Sequence, residues 1–478
     1  MRWSGRRLIA LPFVSLFFLL TFFSWKRKEI PNYLPEEAHK YFHPDESHDH
    51  EIQTTPAPQA PVVQELVQRP ILTYDEAVEL NSVGCSTEGV NFDAGSVRDN
   101  EQRWREIPST RISDWRHDIA AYLQEKIESE SSAPRKTGRG IVMAAGDRDA
   151  VIRARTNIRL LRSYNCTLPV EIFHFHTELS KSDKIMLSEL SQLEASDGHG
   201  FRNNEVAIRV VEGIEKGNGW KAFEIKGAAI QQSSFDEILY LDTDSYSLQN
   251  PESLFESNSW KDTGLLLWPD YTKSHPTNPI WRLVGHQCRD EYEGESGQIV
   301  ISRSQHQEVL WLVEYFAVRH DEFYGFMGGD RDSFRAAALM LGKKWAGPGR
   351  LNAVAGVALK DDPKGGGHTM LQADPEGRWM FVHANLIKHG KFPRPLWRKI
   401  HRAAKDRFEG TSTYGNIDPP NDKLGVGVKL RVEQAPRIET FMETFEGYNE
   451  SLVVVEDWDA YEELEGFEEK WFEFGGVH

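Results

Sequence analysis

Four short apolar stretches alternate with longer amphipathic ones between residues 138 and 244, and this alternation constrains the fold more than any other feature. The apolar stretches are RGIVMAAG, LPVEIFHF, EVAIRVVE and EILYLD. Short apolar strands that alternate with helices are typical of parallel βαβ units. The sequence therefore predicts an α/β fold with one Rossmann-like, mostly parallel sheet flanked by helices.

Further strands and helices follow this segment. GLLLWPDY, SGQIVISR and RWMFVHAN have the pattern of strands, whereas QHQEVLWLVEYFAV and DRDSFRAAALML have that of helices. We expect the folded domain to span residues 106–400, and residues 401–478 to form an extension that packs on it or trails from it. The basic stretch KHGKFPRPLWRKIHRAAK predicts an amphipathic surface helix, and the acidic tail after it predicts a solvated face.

An apolar segment lies near the N-terminus, at residues 8–25, and has 18 residues without a charge. This is about the length of a helix that crosses a bilayer. The bulky FFSWKRK sequence that ends it lacks a small-residue cleavage pattern, which favours a signal anchor over a cleaved signal peptide. Basic residues flank both sides, so charge leaves the orientation open. Residues 26–105, rich in Pro, His and acids near their start, predict a flexible stem.

Charge and cysteine content bear on two kinds of site. The formal net charge of −17 argues against a nucleic-acid-binding surface, because such surfaces are usually basic. The three cysteines, Cys85, Cys166 and Cys288, allow at most one disulfide, and their spacing matches no metal site. We expect Cys166 and Cys288 to be small core residues.

The last apolar stretch of the alternating segment ends in two aspartates, Asp242 and Asp244. Open α/β sheets bind ligands at the carboxyl ends of their strands. A buried carboxylate is costly unless a cation or a donor pairs with it, and carboxylates suit Mg²⁺ or Mn²⁺ bridging to a diphosphate. One alternative is that the pair caps the next turn. Another, an aspartyl-phosphate phosphatase, is disfavoured by Tyr246, where that class has Thr or Val.

Five segments, all within residues 138–390, carry a resemblance to a known family. In chain order they are KGAAIQQSSFDEILYLDTDSYSLQNPESLFES, GLLLWPDY, ESGQIVISR, GGDRDSF and FVHANLIKH. They resemble the fungal Golgi α-mannosyltransferases that extend and branch mannan outer chains. The resemblance implies a GT-A-type fold and a type II protein of the Golgi membrane, with residues 1–7 cytoplasmic and the catalytic domain, residues 106–400, in the lumen.

The resemblance also implies a reaction. Mannose would pass from GDP-mannose to an α-mannoside acceptor on a glycan, with retention of configuration and with Mn²⁺ (or Mg²⁺) as the cofactor. A complex with other mannosyltransferases is a further implication. Two alternatives stay open: a related transferase that uses a UDP-sugar, and a non-catalytic glycan-binding subunit of a mannan-synthesising complex. The linkage, α-1,2 or α-1,3, also stays open.

Matched residue by residue, the resemblance assigns roles within the site. The metal ligands would be Asp242, Asp244 and His383. The donor would contact Ala144, Ala145, Gly146, Lys226, Asp242, Gln298 and Lys388. The catalytic residues would be Asp330, Asp332 and Glu295, and the acceptor would contact Trp268, Asp270 and Tyr271. Simpler roles stay open for several of these residues: a core position for His383 or the aromatic residues, and a helix N-cap for Asp330 or Asp332.

Overall fold

In a computed structural model, the chain forms two large β-sheets with helices packed around them. The structure describes residues 60–85, 94–130, 136–192, 205–217, 222–289, 291–355, 369–384, 395–403, 406, 413–414, 429–432, 440–443 and 453–476. The strands are β1 Arg139–Ala144, β2 Val170–His174, β3 Val206–Val210, β4 Glu237–Leu241, β5 Ser245–Ser247, β6 Leu265–Lys273, β7 Tyr292–Ser302, β8 Trp345–Ala346, β9 Ala353–Ala355, β10 Thr369–Ala373, β11 Trp379–His383, β12 Lys399–Ala403, β13 Thr413–Tyr414, β14 Lys429–Val432, β15 Thr440–Glu443 and β16 Val453–Asp457.

The main sheet has the strand order β13-β8-β6-β7-β4-β1-β2-β3. The predicted strands β1 to β4 are confirmed and form its parallel part. The sheet is mixed but mostly parallel, because β6 also pairs parallel with β8, whereas β7 pairs antiparallel with both β4 and β6 and β13 pairs antiparallel with β8. Antiparallel neighbours need no crossover helix, and the helix between β6 and β7, Ile280–Val284, has only five residues.

A second sheet, with the order β16-β12-β9-β10-β11-β5, was not predicted. All of its pairings are antiparallel. Its edge strand β5 has only three residues, too few for a periodic pattern to be recognised in the sequence. Because β5 comes just after β4, the chain passes from the main sheet to the second sheet through residues 242–244.

Helices cover both faces of the main sheet. In chain order they are α1 Pro61–Gln68, α2 Tyr74–Gly84, α3 Ala94–Glu106, α4 Ser109–Glu130, α5 Arg148–Ser163, α6 Lys181–Ser188, α7 Ile225–Gln232, α8 Asn258–Thr263, α9 Ile280–Val284, α10 Arg303–Val318, α11 His320–Met327, α12 Ser333–Met340 and α13 Phe467–Glu473. One apolar core joins α1, α4, α7, α10 and α12 to the sheet, and another joins α5 and α8 to its opposite face.

The flexible stem predicted over residues 26–105 is wrong for the part that the structure describes. Helix α1 buries Val63 and Leu66 in the first core. Cys166 and Cys288 are buried in the core, as expected, but a disulfide joins Cys288 to Cys85, at the end of α2. Helices α1 and α2 have only 8 and 11 residues, and helices of this length depend on tertiary packing for their stability. The predicted anchor, residues 8–25, lies outside the described residues, and among those described no helix is long and apolar enough to span a bilayer.

The C-terminal segment contributes strands β12 and β16 to the second sheet, and helix α13 packs against that sheet. Part of the predicted amphipathic helix is instead strand β12, which pairs with β16. The carboxylate of Glu468 in α13 accepts hydrogen bonds from the backbone N–H groups of Leu396 and Trp397. The ring of Trp471 lies 5.8 Å from that of Tyr246 in β5. The acidic tail, predicted to be a solvated face, therefore supports the strand that follows the two aspartates.

Candidate active site

Strand β4 ends at a tight turn between the two sheets. The N–H of Asp242 donates to the carbonyl oxygen of Gly297 in β7 at 2.7 Å. The N–H of Ser245 donates to the carbonyl oxygen of Asp242 at 3.0 Å. The side-chain amide of Asn157 in α5 donates to the carbonyl oxygen of Ser245 at 2.6 Å. These bonds fix Asp242 and Asp244 at the carboxyl end of β4, where the sequence predicted them.

His383 reaches this turn through the pairing of β5 with β11. In that pairing His383 lies opposite Ser245, and the N–H of Ala384 donates to the carbonyl oxygen of Asp244 at 2.8 Å. One ligand atom from each of Asp242, Asp244 and His383 lies within 4.8 Å of the others. A divalent ion with ligand bonds of about 2.0–2.6 Å can bridge such a spacing. The structure therefore brings the three predicted ligands together, and their oxygen and imidazole atoms fit Mn²⁺ or Mg²⁺.

Lys226, in α7, is buried between two of the acids. Its Nζ lies 3.1 Å from Oδ2 of Asp242 and 2.8 Å from Oδ2 of Asp330. It also donates to the carbonyl oxygen and the hydroxyl of Ser296, at 2.7 and 2.9 Å. Burial by itself would lower the pKa of Lys226, but Asp242 and Asp330 raise it above its usual value. The ammonium therefore stays charged and offsets the negative charge of both carboxylates.

Glu295, in β7, contacts Nδ1 of His383, the ring nitrogen that points away from the aspartates. Nδ1 of His383 lies 3.3 Å from Oε1 of Glu295, whereas Nε2 lies 3.7 Å from Oδ1 of Asp244. Burial would raise the pKa of Glu295, but His383 and Gln372 hold it at about 2. Burial would likewise lower the pKa of His383, but Glu295 and the two aspartates raise it to about 9. These surroundings favour a cation, either a proton on His383 or a metal ion. Glu295 therefore lies behind the candidate metal ligand His383, which differs from the catalytic position predicted for it.

A cleft of about 340 Å³ opens beside these groups. The predicted donor residues among its lining are Ala144, Gly146, Lys226 and Asp242, and Asp244 and Asp330 line it as well. At Gly146 a Cβ atom would lie 2.2 Å from a carboxylate oxygen of Glu178, so a larger residue there would displace that side chain. Ala145 is fully buried instead, and Lys388 lies outside the described residues.

The cleft also has a basic side chain that the sequence reasoning missed, Arg153 in α5. Its Nε lies 3.3 Å from the hydroxyl of Thr243, between the two aspartates. A signal existed in the sequence. Arg153 falls in the buried stripe of α5, together with Ala150, Ala154 and Asn157, and a charged residue within an apolar stripe is uncommon without a partner.

Three residues assigned to the site from the sequence lie in the interior instead. The amide oxygen of Gln298 accepts from the hydroxyl of Ser245 at 2.9 Å, and the side chain is fully buried. The indole N–H of Trp268 donates to the carbonyl oxygen of Ala373, and its ring packs on Phe381. Asp332 accepts from Arg335, in α12, and from the N–H of Gly294. Because none of these side chains is exposed to the cleft, they do not fit the contacts predicted for donor, acceptor or catalysis.

Asp270 and Tyr271 are half-buried and bound to other parts of the fold. Asp270 pairs with Arg331, which also contacts Glu293. The hydroxyl of Tyr271 donates to the carbonyl oxygen of Ala353 at 2.8 Å. Asp330, the neighbour of Arg331, is the residue of this region that lines the cleft. The structure thus separates Asp330 from the predicted acceptor residues of β6 and from Asp332, which directly precedes α12.

Comparison with known proteins yields matches along much of this region. Residues 138–287 and 282–374 match the family described as "Mannosyltransferase putative". Alpha-1,2-mannosyltransferase MNN2 of Candida albicans is 25% identical over 58% of this chain and 54% of its own length. Alpha-1,2-mannosyltransferase MNN5 of Saccharomyces cerevisiae is 25% identical over 42% of this chain and 43% of its own. The alignments thus span about half of these relatives.

Among solved structures, mouse xyloside xylosyltransferase 1 aligns with 43% of this chain and 81% of its own, at 14% identity and a TM-score of 0.28. That similarity is too low to support a conclusion. The family match is different, because residues 138–374 include β1 to β4, both aspartates, Glu295 and Asp330 in the expected order. The resemblance inferred from the sequence is confirmed, and the chain belongs to this mannosyltransferase family.

Proposed function

We propose that this chain is a metal-dependent, retaining α-mannosyltransferase of the GT-A type. It would transfer mannose from GDP-mannose to an α-mannoside on a glycan. The observation that carries the proposal is the cluster of Asp242, Asp244 and His383 on a cleft whose other charged groups include Lys226 and Arg153. The family relationship supports mannosyl transfer, and relatives named α-1,2-mannosyltransferases favour that linkage.

The side chains around the cleft suit this chemistry. A Mn²⁺ or Mg²⁺ ion held by the three ligands would neutralise charge on the leaving diphosphate. The carboxylate of Glu295, 3.3 Å from Nδ1 of His383, would orient the ring so that Nε2 faces the aspartates, as outer partners of metal-bound histidines do. Lys226 holds the carboxylates of Asp242 and Asp330 in place. Asp330 can then accept a hydrogen bond from the attacking hydroxyl group, and retention by front-side displacement requires no protein nucleophile.

The purified full-length chain, Mn²⁺, an α-mannobiose acceptor and a panel of GDP- and UDP-sugars test this function. We expect mannose transfer from GDP-mannose, reduced at least about 100-fold in Asp242→Asn and Asp244→Asn, since preorganised charge at such sites contributes on this scale. Asp262→Asn, on the exposed surface of α8, is the matched control and should stay active. Transfer from a UDP-sugar but not from GDP-mannose would overturn the proposed donor assignment. A fully active Asp244→Asn would overturn the metal site, and no transfer at all would favour a glycan-binding subunit.

We further propose that the protein resides in the Golgi membrane with its catalytic domain in the lumen. The Cys85–Cys288 disulfide supports this location, because structural disulfides persist in oxidising compartments and are rare in the cytosol. A C-terminal tag on the full chain should co-localise with a Golgi marker. In sealed vesicles the tag should resist protease until detergent is added. Digestion before detergent would place the domain on the cytosolic side.

A further inference from the structure

Arg153 differs from the other buried arginines that the structure describes. These are Arg69, Arg116, Arg162, Arg282, Arg303, Arg335 and Arg350. Each of them donates at least two hydrogen bonds to carbonyl, carboxylate or side-chain oxygens. Arg153 donates one, from Nε to the hydroxyl of Thr243 at 3.3 Å. Its Nη1 is buried and has no hydrogen-bond partner.

This arrangement is costly for the ligand-free protein. Arg153 is 8% exposed, and no carboxylate forms an ion pair with it among the described residues. A buried guanidinium that lacks an anion loses hydration without compensation, at several kcal/mol by general estimates. Such a charge is expected where an anionic ligand completes the pair, because a guanidinium offers a planar fork that matches phosphate oxygens.

The position of Arg153 identifies the anion. The side chain lines the same cleft as Asp242 and Asp244 and contacts the residue between them. Lys226 cannot replace it, because its ammonium is already bound to Asp242, Asp330 and Ser296. We propose that Arg153 binds a phosphate group of the nucleoside diphosphate, an inference that rests on the function proposed above. The free N–H groups of its guanidinium would donate to the phosphate oxygens, on the α5 side of the turn that holds the metal ligands.

Nucleotide binding by the full-length chain tests this role without measuring catalysis. Calorimetric titrations would compare GDP with guanosine, and UDP with uridine, in Mn²⁺ and again in EDTA. The variants are Arg153→Met, which removes the charge, and Arg153→Lys, which keeps it but loses the fork. The matched control is Arg155→Met, on the same helix, whose Nη1 lies 4.0 Å from the sulfur of Met186. Melting temperatures of the ligand-free proteins would show whether each variant folds.

We expect Arg153→Met to weaken GDP binding about 10- to 100-fold in Mn²⁺, the range for hydrogen bonds to a charged group. Guanosine binding and the melting temperature should not fall, and Arg153→Lys should bind with intermediate affinity. Arg155→Met should bind GDP like the wild type. Equal losses for GDP and guanosine, or no loss in Arg153→Met, would overturn the inference and leave the proposed function standing. If the wild type binds neither GDP nor UDP, both fail together.

Discussion

Nδ1 of His383 lies 3.3 Å from the carboxylate of Glu295. Through this contact Glu295 should affect the metal affinity of the proposed Asp242, Asp244 and His383 site, although it is not one of the ligands. We predict that Glu295→Gln lowers Mn²⁺ affinity about 10- to 100-fold, the usual effect of losing an outer partner of a metal-bound histidine. Electron paramagnetic resonance of free Mn²⁺ during titration measures it. Glu212→Gln, an exposed substitution, should have no effect. An unchanged affinity in Glu295→Gln would show that the carboxylate does not orient the ligand.

Lys226 should be essential to the stability of the metal-free site. Lys226→Met leaves the carboxylates of Asp242 and Asp330 close together with no ammonium between them. We expect the free energy of unfolding in urea with EDTA to fall by about 3 kcal/mol, as when one partner of a buried ion pair is removed. Lys226→Met combined with Asp330→Asn should recover part of this loss, because one uncompensated charge is gone. A double variant no more stable than Lys226→Met would contradict this account.

The disulfide should stabilise the N-terminal helices against the rest of the fold. Cys85 and Cys288 are 203 residues apart in sequence, and loss of a native disulfide commonly costs about 2–5 kcal/mol. We predict that Cys85→Ser lowers the melting temperature. Reductant should lower the melting temperature of the wild type but not that of the variant.

Burial raises the pKa of the remaining thiol, Cys166, to about 12. Iodoacetamide should therefore label one cysteine after denaturation and three after reduction, and none in the native protein by intact mass.

His401 should make the fold less stable in acid. Burial lowers the pKa of this imidazole to about 4, with a smaller contribution from Lys399. Between pH of about 6.5 and 4 the unfolded chain therefore binds a proton that the folded chain does not, so the free energy of unfolding falls as the pH is lowered. Between pH 7 and 4.5, the free energy of unfolding of His401→Gln, measured by urea titration, should fall by about 2 kcal/mol less than that of the wild type. His117→Gln, exposed on α4, should follow the wild type. Parallel curves for His401→Gln and the wild type would exclude this titration.

The parts of the fold predicted from the sequence are those with a strong local pattern. The strands that carry Ile141, Ile172 and Leu239 are short apolar runs between helices, and each is a parallel strand of the main sheet. Asp242 and Asp244 could be placed because they end such a run. Strand β5 and helix α1 were not predicted, because they have only three and eight residues, whereas a periodic pattern is judged over about 11–18 residues.

Pairings between distant segments account for the errors. Trp268 and Gln298 have the residue types expected of a sugar site, but the contacts of β6 and β7 with the second sheet bury both. Asp330 and Asp332 are two residues apart in one segment, yet one lines the cleft and the other pairs with Arg335 inside the fold. Local sequence cannot separate such neighbours, since the difference depends on what packs against each of them.

By itself the sequence determined the α/β alternation, the acidic turn after β4 and the family to which the chain belongs, because each of these is written in contiguous residues. Only the tertiary structure decided which side chains meet at that turn. His383 faces Asp244 because β11 pairs with a three-residue strand, and Arg153 lies beside Thr243 because α5 packs over the same turn. His383 and Arg153 are 230 positions apart in the sequence. Long-range pairing, which no local pattern encodes, places this candidate ligand and this candidate phosphate-binding residue at the same turn.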